Sequence, residues 1–211
     1  MARGAINSNR KATPKGSAAR ARIVATARGH FFVHGFRRCT MDDLAAELGM
    51  SKKTLYGCFA SKAALVQAVI LAKFADVEAA LEGISRHPAP DFLDSLQQLL
   101  TCIRTHTEEV RPPFLRDIQR EAPELFELVQ SRRRTLIQRH FKTLFERGRK
   151  AGLIRGDIPA TLMTEILLGA TQAVANPQTM LELDLTPQTA LSAILRVVLE
   201  GVLTRPGRHH A

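Results

Sequence analysis

Apolar residues recur along this chain at spacings of three and four. Ile23, Ala27 and Phe31 share one helical face, Leu55 and Phe59 another, and Leu65, Val69, Ile70, Phe74, Val77 and Leu81 form a long stripe. No sustained period-two alternation appears, so the pattern predicts an all-α protein. A first helix is expected from Ser17 to His34, closed by Gly35. Thr40 reads as an N-cap with Asp42 and Asp43 in the first turn, where the helix dipole favours negative charge. That short helix turns Leu44, Ala45 and Leu48 inward and stops at Gly49. Ser51 caps a second short helix, Lys52 to Phe59, and Ser61 a longer one. His87-Pro88-Ala89-Pro90 breaks the pattern and marks the expected boundary between two parts. Helices are then expected over Asp91 to Val110, Phe114 to Arg120, Pro123 to Ala151 (ending at Gly152), Ala160 to Ala175 and Pro187 to Thr204, with Pro159 and Pro187 at helix starts.

The last two helices differ from the rest. Met163, Ile166, Leu167, Leu168 and Val174, then Leu191, Ile194, Leu195, Val197, Val198, Leu199, Val202 and Leu203, occupy more than one face. A helix that is apolar nearly all round is buried on both sides, so the second side is expected to meet another subunit. Met163, Leu167, Val174, Leu191, Leu195, Val198 and Val202 are the expected dimer-interface residues.

Composition changes this picture in one respect. The 211 residues carry a net charge of +10, and its placement is uneven. Residues 1–62 hold 12 Lys and Arg against 3 Asp and Glu, a net +9, whereas the remainder holds 18 against 17, a net +1. A basic N-terminal part on a near-neutral body is the electrostatic footprint of a nucleic-acid-binding module, although an anionic membrane surface would attract it as well. No apolar run reaches the ~18 residues that span a bilayer. The basic, polar first 16 residues are not expected to be a secretory signal. Three widely spaced cysteines, Cys39, Cys58 and Cys102, form neither a disulfide framework nor a metal pair, which fits a cytoplasmic location.

A short helix, a tight Gly-containing turn and a second short helix within some 20 residues is the arrangement of a helix-turn-helix. Its second helix presents N-terminal residues to base edges in the major groove. Lys52, Lys53 and Thr54 stand there, with Ser51 as cap; Lys can bond guanine acceptors, and Thr offers a hydroxyl and a methyl. Tyr56 and Lys62 are placed to reach phosphate oxygens. Thr40-x3-Leu44-Ala45-x3-Gly49-Met50-Ser51-x3-Leu55-Tyr56-x2-Phe59-x2-Lys62-x2-Leu65 closely resembles the DNA-binding module of TetR-type transcriptional regulators, and Ile23-Val24, Ala27, Phe31 and Gly35-Phe36 fit that family's first helix. The resemblance covers about residues 22–69.

The resemblance implies a cytoplasmic homodimer that binds a roughly palindromic DNA operator, usually as a repressor. It also implies a small-molecule effector, apolar or amphipathic, bound among the C-terminal helices, and a dimeric four-helix bundle made by the last two. By position, Thr40, Lys52, Thr54, Tyr56 and Lys62 match the family's DNA-contact sites, with Lys53 adjacent. Cys58 stands where relatives often carry His or another residue that reaches phosphate, and His30 where an aliphatic side chain is common. The expected organisation is a basic arm (1–15, with Arg3, Arg10, Lys11 and Lys15), the helix-turn-helix domain (16–62), a connecting helix (63–86), a ligand-binding and dimerisation domain (87–205) and a tail (206–211). Leu99, Cys102, Ile103, His106, Phe114, Ile118, Phe141, Leu144 and Thr171 are the candidate effector wall, with ordinary core as the competing reading for each. His106 and His140 stand as pocket candidates against satisfied or exposed histidines, and Arg132-Arg133-Arg134 as a solvated run against a contact to an anionic ligand. Cys58 reads as an inert thiol, with oxidation sensitivity as the alternative. No GxSxG, HExxH, Walker A or EF-hand pattern occurs, so no catalytic site, metal or cofactor is expected. A general DNA-coating protein and an enzyme localised by its basic region are the competing classes.

Overall fold

A computed structural model of the chain describes residues 14–86 and 91–203. They form ten helices: α1 (Pro14–His34), α2 (Met41–Glu47), α3 (Lys52–Cys58), α4 (Lys62–Arg86), α5 (Phe92–Glu108), α6 (Pro112–Glu121), α7 (Pro123–Lys150), α8 (Ala160–Val174), α9 (Pro177–Glu182) and α10 (Pro187–Val202). Among the described residues the sole β-feature is a bridge between Ile154 and Leu203. No single helix there is long and apolar enough to cross a membrane. The expected arm residues Arg3, Arg10 and Lys11, the 87–90 break and the 206–211 tail lie outside the described residues.

The expected caps close the first helices. α1 starts at Pro14, three residues before the expected Ser17, and ends where Gly35 takes φ +80°. Thr40 and Asp43 make a reciprocal capping box on α2: Asp43 N donates to Thr40 Oγ1 at 3.1 Å, and Thr40 N donates to Asp43 Oδ2 at 2.9 Å. Those bonds hold the Asp43 carboxyl below its ordinary pKa. Gly49 follows α2 at φ +62°, a left-handed turn that glycine adopts without steric cost. Ser51 Oγ accepts from Thr54 N at 3.1 Å, and Ser61 Oγ from Ala64 N at 3.1 Å, to start α3 and α4.

α1, α2 and α3 pack around Ile23, Phe31, Leu44, Leu55 and Phe59, all 2% exposed or less. α4 runs out of this cluster and packs on α1, α5 and α7. α7 and α8, then α8 and α10, form the deepest part of the body around Phe145, Met163 and Leu167. Gly148 permits close packing of α7: a Cβ there would lie 2.7 Å from the Phe92 ring and from Ile154.

Three expectations are corrected. α9 was not expected; Asn176 caps it by accepting from Thr179 N at 3.0 Å, and Pro177 occupies its first turn. α6 begins at Pro112 rather than Phe114, because the Pro112-Pro113 pair fits a first turn, where missing N–H groups cost no hydrogen bonds. The third concerns the interface. Met163, Leu167, Leu195, Val198 and Val202 are buried inside the single chain, and Leu191 and Val174 are half-buried against its core. The large apolar residues that α8 and α10 leave exposed are Leu162 (51%), Ile166 (50%) and Val197 (72%). The period was read correctly, but a helix packed on both α7 and α10 has no interior face to spare for a partner.

Candidate functional site

α3 stands on Leu55, with Phe59 at its C-cap, and exposes Ser51, Lys52, Lys53, Thr54, Tyr56 and Gly57 to solvent. The expected reading residues therefore share one surface, but they are not equally free. Lys52 Nζ is 2.6 Å from Asp42 on α2, a fully exposed pair that raises the Lys52 pKa. Thr54 Oγ1 lies 2.9 Å from Ser51 Oγ and shares its hydroxyl with the cap. Thr40 Oγ1 donates to Asp43 at 2.7 Å, so its hydroxyl is committed to the capping box. Lys53 has no ion pair among the described residues, and Tyr56 is 48% exposed. Lys62, at the first position of α4, is half-buried; its Nζ lies 5.4 Å from the centre of the Phe36 ring and donates to the Arg37 carbonyl at 3.4 Å. Burial lowers its pKa. Cys58 is half-buried against the core. The thiol of Cys39, buried behind the Thr40 cap, is pushed up in pKa by desolvation.

Two positioning residues escaped the sequence reading. Arg20 donates to the Cys58 carbonyl at 2.6 Å, with its guanidinium 4.0 Å from the centre of the Phe59 ring. Arg22 donates to the Leu48 carbonyl. These two arginines of α1 thus hold helix C-terminal carbonyls, at α3 and α2 respectively, which favour a cation. The pairings span 38 and 26 residues, so local spacing carries no sign of them. His30 accommodates its departure from the family pattern by pairing with Glu47 at 2.6 Å on the surface.

The reader is joined to the body along two lines. Asp117 on α6 accepts from Arg37 N at 3.0 Å, and Glu121 pairs with the Arg37 side chain at 2.6 Å. The Asp117 carboxylate sits where any Cβ at Gly35 would have to go. The second line is an ion cluster. Arg28 on α1 pairs with Asp76 on α4 at 2.5 Å and with Glu109, the C-cap of α5, through Nε at 3.1 Å and Nη2 at 2.7 Å. Glu109 also holds Lys73 on α4, and Lys73 Nζ donates to His106 Nδ1 at 3.2 Å. Lys73 is buried, and desolvation, then the Arg28 charge, bring its pKa down to about 8. Burial and Lys73 lower that of His106, which keeps the imidazole neutral and able to accept.

This cluster borders a cavity of about 160 Å³. Its wall is formed by Phe32 from α1; Ile70, Lys73, Phe74 and Val77 from α4; Ile103, His106, Thr107 and Val110 from the α5 end; Phe114 and Leu115 from α6; Val129, Arg133, Leu136 and Ile137 from α7; and Pro187 and Leu191 at α10. Phe32 and Phe114 meet edge to face with centroids 4.9 Å apart. Of the expected wall, Ile103, His106 and Phe114 are present. Leu99, Ile118, Phe141 and Leu144 are core residues away from the cavity, Cys102 is half-buried elsewhere, and Thr171 spends its hydroxyl on the Leu167 carbonyl of its own helix at 2.7 Å. Leu191, expected at the interface, lines the cavity instead. His140 is buried away from it. Of the arginine run, Arg132 is exposed and Arg134 faces Glu165 at 3.5 Å, so only Arg133 reaches the cavity.

Comparison with known proteins agrees with the geometry of the reader. Residues 23–69 match the model of bacterial regulatory proteins of the tetR family. The HTH-type transcriptional regulator UidR of Escherichia coli K12 is 28% identical over 191 residues, covering 88% of this chain and 93% of the relative. The HTH-type transcriptional regulator YvaF of Bacillus subtilis is 25% identical over 166 residues, covering 77% and 85%. A putative transcriptional regulator from Saccharomonospora viridis, solved in complex with choline, shares the fold with a TM-score of 0.67 at 18% identity, over 90% of this chain and 100% of the other. Residues 23–69 form a helix-turn-helix on an exposed basic surface and match the DNA-binding module of bacterial regulatory proteins of the tetR family, in an all-α chain similar over most of its length to HTH-type transcriptional regulators.

Proposed function

We propose that the protein is a homodimeric repressor released from a palindromic operator by a small molecule bound in the α1–α4–α5–α6–α7 cavity. The observation that carries this reading is Phe32. It belongs to the helix that braces α3 through Arg20, and it also forms part of the cavity wall. A ligand there touches the reader's own scaffold. Choline bound in the S. viridis protein of the same fold supports a ligand role for this fold.

Two readers in one dimer must fit major grooves about 34–36 Å apart. A ligand that favours a different placement of α1 and α4 alters that spacing, and such coupling is typically ~1–3 kcal/mol. On the DNA side, Lys53 and Tyr56 are free to meet phosphate, and Lys52 must exchange Asp42 for a base or phosphate acceptor. Thr40, Ser51 and Thr54 serve first as caps and contribute to DNA through whatever valence remains on their hydroxyls. Lys62 adds charge at the α4 N-terminus.

Selection of bound sequences from random DNA, followed by variants, tests this. Lys52→Ala is expected to reduce discrimination between operator and mismatched sites by ~1–3 kcal/mol, whereas Lys62→Ala weakens all DNA and lowers the salt slope by about 1. Tyr56→Phe, which leaves the core untouched, is expected to weaken binding to all sequences alike. A parental ratio of specific to non-specific binding in Lys52→Ala counts against base reading, and the absence of any selected sequence favours a general DNA-coating protein.

A further inference from the structure

We propose that the effector is an organic monocarboxylate whose apolar part is about the size of one aromatic ring, with its carboxylate held by Arg133. The inference rests on the reading of this cavity as the effector site. Two charged side chains, Lys73 and Arg133, line the wall, and Lys73 belongs to the ion cluster beside it. Arg28, Lys73, Glu109 and Asp76 are two cations and two anions in mutual contact, and so are balanced among themselves. His106 is neutral. Arg133 is the remaining charged group on the wall, and among the described residues it has no ion pair. Its Nη1 donates to the Ala175 carbonyl at 3.2 Å, which leaves guanidinium N–H groups without a partner among the described residues. Burial brings its pKa down to about 10, so it stays protonated at neutral pH and bears a desolvation cost that no carboxylate of the described chain offsets.

A guanidinium in that condition selects a planar anion. Its rigid fork matches a carboxylate through two parallel N–H···O bonds, and the half-buried setting strengthens the match. Phosphate has similar geometry, but a phosphate ester carries about −1.5 to −2 at neutral pH. Against one uncompensated cation, that leaves excess negative charge among phenylalanine, leucine and isoleucine side chains. A carboxylate leaves none. Volume sets the rest of the molecule: about 160 Å³ is close to the ~150 Å³ of an apolar cavity that accepts benzene. The phenylalanines at positions 32, 74 and 114 supply walls suited to a ring.

The experiment titrates the full-length protein calorimetrically with benzoate, phenylacetate and 3-phenylpropionate, their primary amides and phenyl phosphate. The same compounds are tested for release of the selected operator. The best acid is expected to bind at least about tenfold more tightly than its amide and than phenyl phosphate. Arg133→Gln keeps a donor for the Ala175 carbonyl but removes the charge, and is expected to bring acid and amide within about twofold of each other. Arg133→Lys is expected to retain the preference in weakened form. Circular dichroism establishes that both variants are folded. Equal binding of acid and amide by the parent, tighter binding of phenyl phosphate, an acid preference that survives Arg133→Gln, or no binding by any compound to a protein that still holds its operator each overturns the proposal. Failure to select any operator instead sinks the repressor reading, whatever the titrations show.

Discussion

His140 shows how much one side chain can reveal. It sits on the inner face of α7, 6% exposed, and its Nε2 has no hydrogen-bond partner among the described residues. Burial, with the nearby Arg139 charge, lowers its pKa below the ordinary 6.5, while Glu78 and Glu82 pull weakly the other way. The lowered value means that the unfolded chain binds more protons than the folded one between the folded pKa and about 6.5, so stability falls as pH drops through that window. His140→Leu removes the unsatisfied nitrogen at similar volume. It is expected to raise stability by ~1 kcal/mol at pH 7.5 and by more at pH 5.5, with part of the acid sensitivity left to His106. Urea unfolding at the two pH values checks both claims, and a variant less stable than the parent at pH 5.5 refutes them. A histidine among core positions is legible in the sequence; the absence of a partner for it is not, because that depends on which helices close over α7.

At the scale of elements, what could be read locally was read. Thr40, Ser51 and Ser61 cap their helices because cap, first turn and glycine stop lie within one short window of sequence. The spacing of Leu44, Leu55 and Phe59 placed the reader's buried side, so α3's outward residues followed. α9 was missed since its six residues are too few to show a period. The cavity wall was mostly missed because it draws on α1, α4, α5, α6, α7 and α10, and periodicity gives each helix an inner face without saying which inner faces leave a gap. The same holds for the Arg28–Glu109–Lys73 cluster, which spans 81 residues. That cluster suggests how helices transmit binding. Glu109 at the α5 end holds Arg28 of the reader and Lys73 of the cavity wall at once, so motion of α5 reaches α1 through one carboxylate. Glu109→Gln keeps the shape and weakens both contacts. At a half-exposed site the stability cost is expected to be small, ~1 kcal/mol or less. Effector affinity, set at Arg133, is expected to change little. The factor by which effector weakens operator binding is expected to shrink by ~0.5–2 kcal/mol of coupling. Operator titrations with and without saturating effector measure that factor, and an unchanged value means that α6, through Asp117 and Glu121, carries the coupling alone.

For the whole molecule, the question is which surface closes the proposed dimer. On α8 the exposed positions Leu162, Ile166, Gly169 and Ala173 follow helical spacing, and on α10 Ala193, Val197 and Gly201 do the same. Each stripe combines large apolar side chains with small residues that let helix backbones approach closely, and α8 and α10 already pack on each other. Two copies apposed through these stripes would form a four-helix bundle whose outer surface stays polar. The sequence pattern points to these two helices but to faces that are buried within the single chain, and the two placements of the interface can be told apart by measurement. Leu195 is 5% exposed within one chain, so Leu195→Glu buries an unpaired carboxylate in the core and is expected to unfold the protein rather than dissociate it. Ile166→Glu and Val197→Glu place the charge on half-exposed and exposed positions; each is expected to give a folded monomer with parental helical content. Light scattering reports mass, and circular dichroism reports fold. A monomer carries one reader, so it is expected to lose the gain from binding both half-sites of a palindrome while keeping weak, salt-sensitive affinity for any DNA. A folded dimer that persists in both variants would move the interface away from α8 and α10, and with it the lever by which a cavity beside α1 sets the distance between two readers.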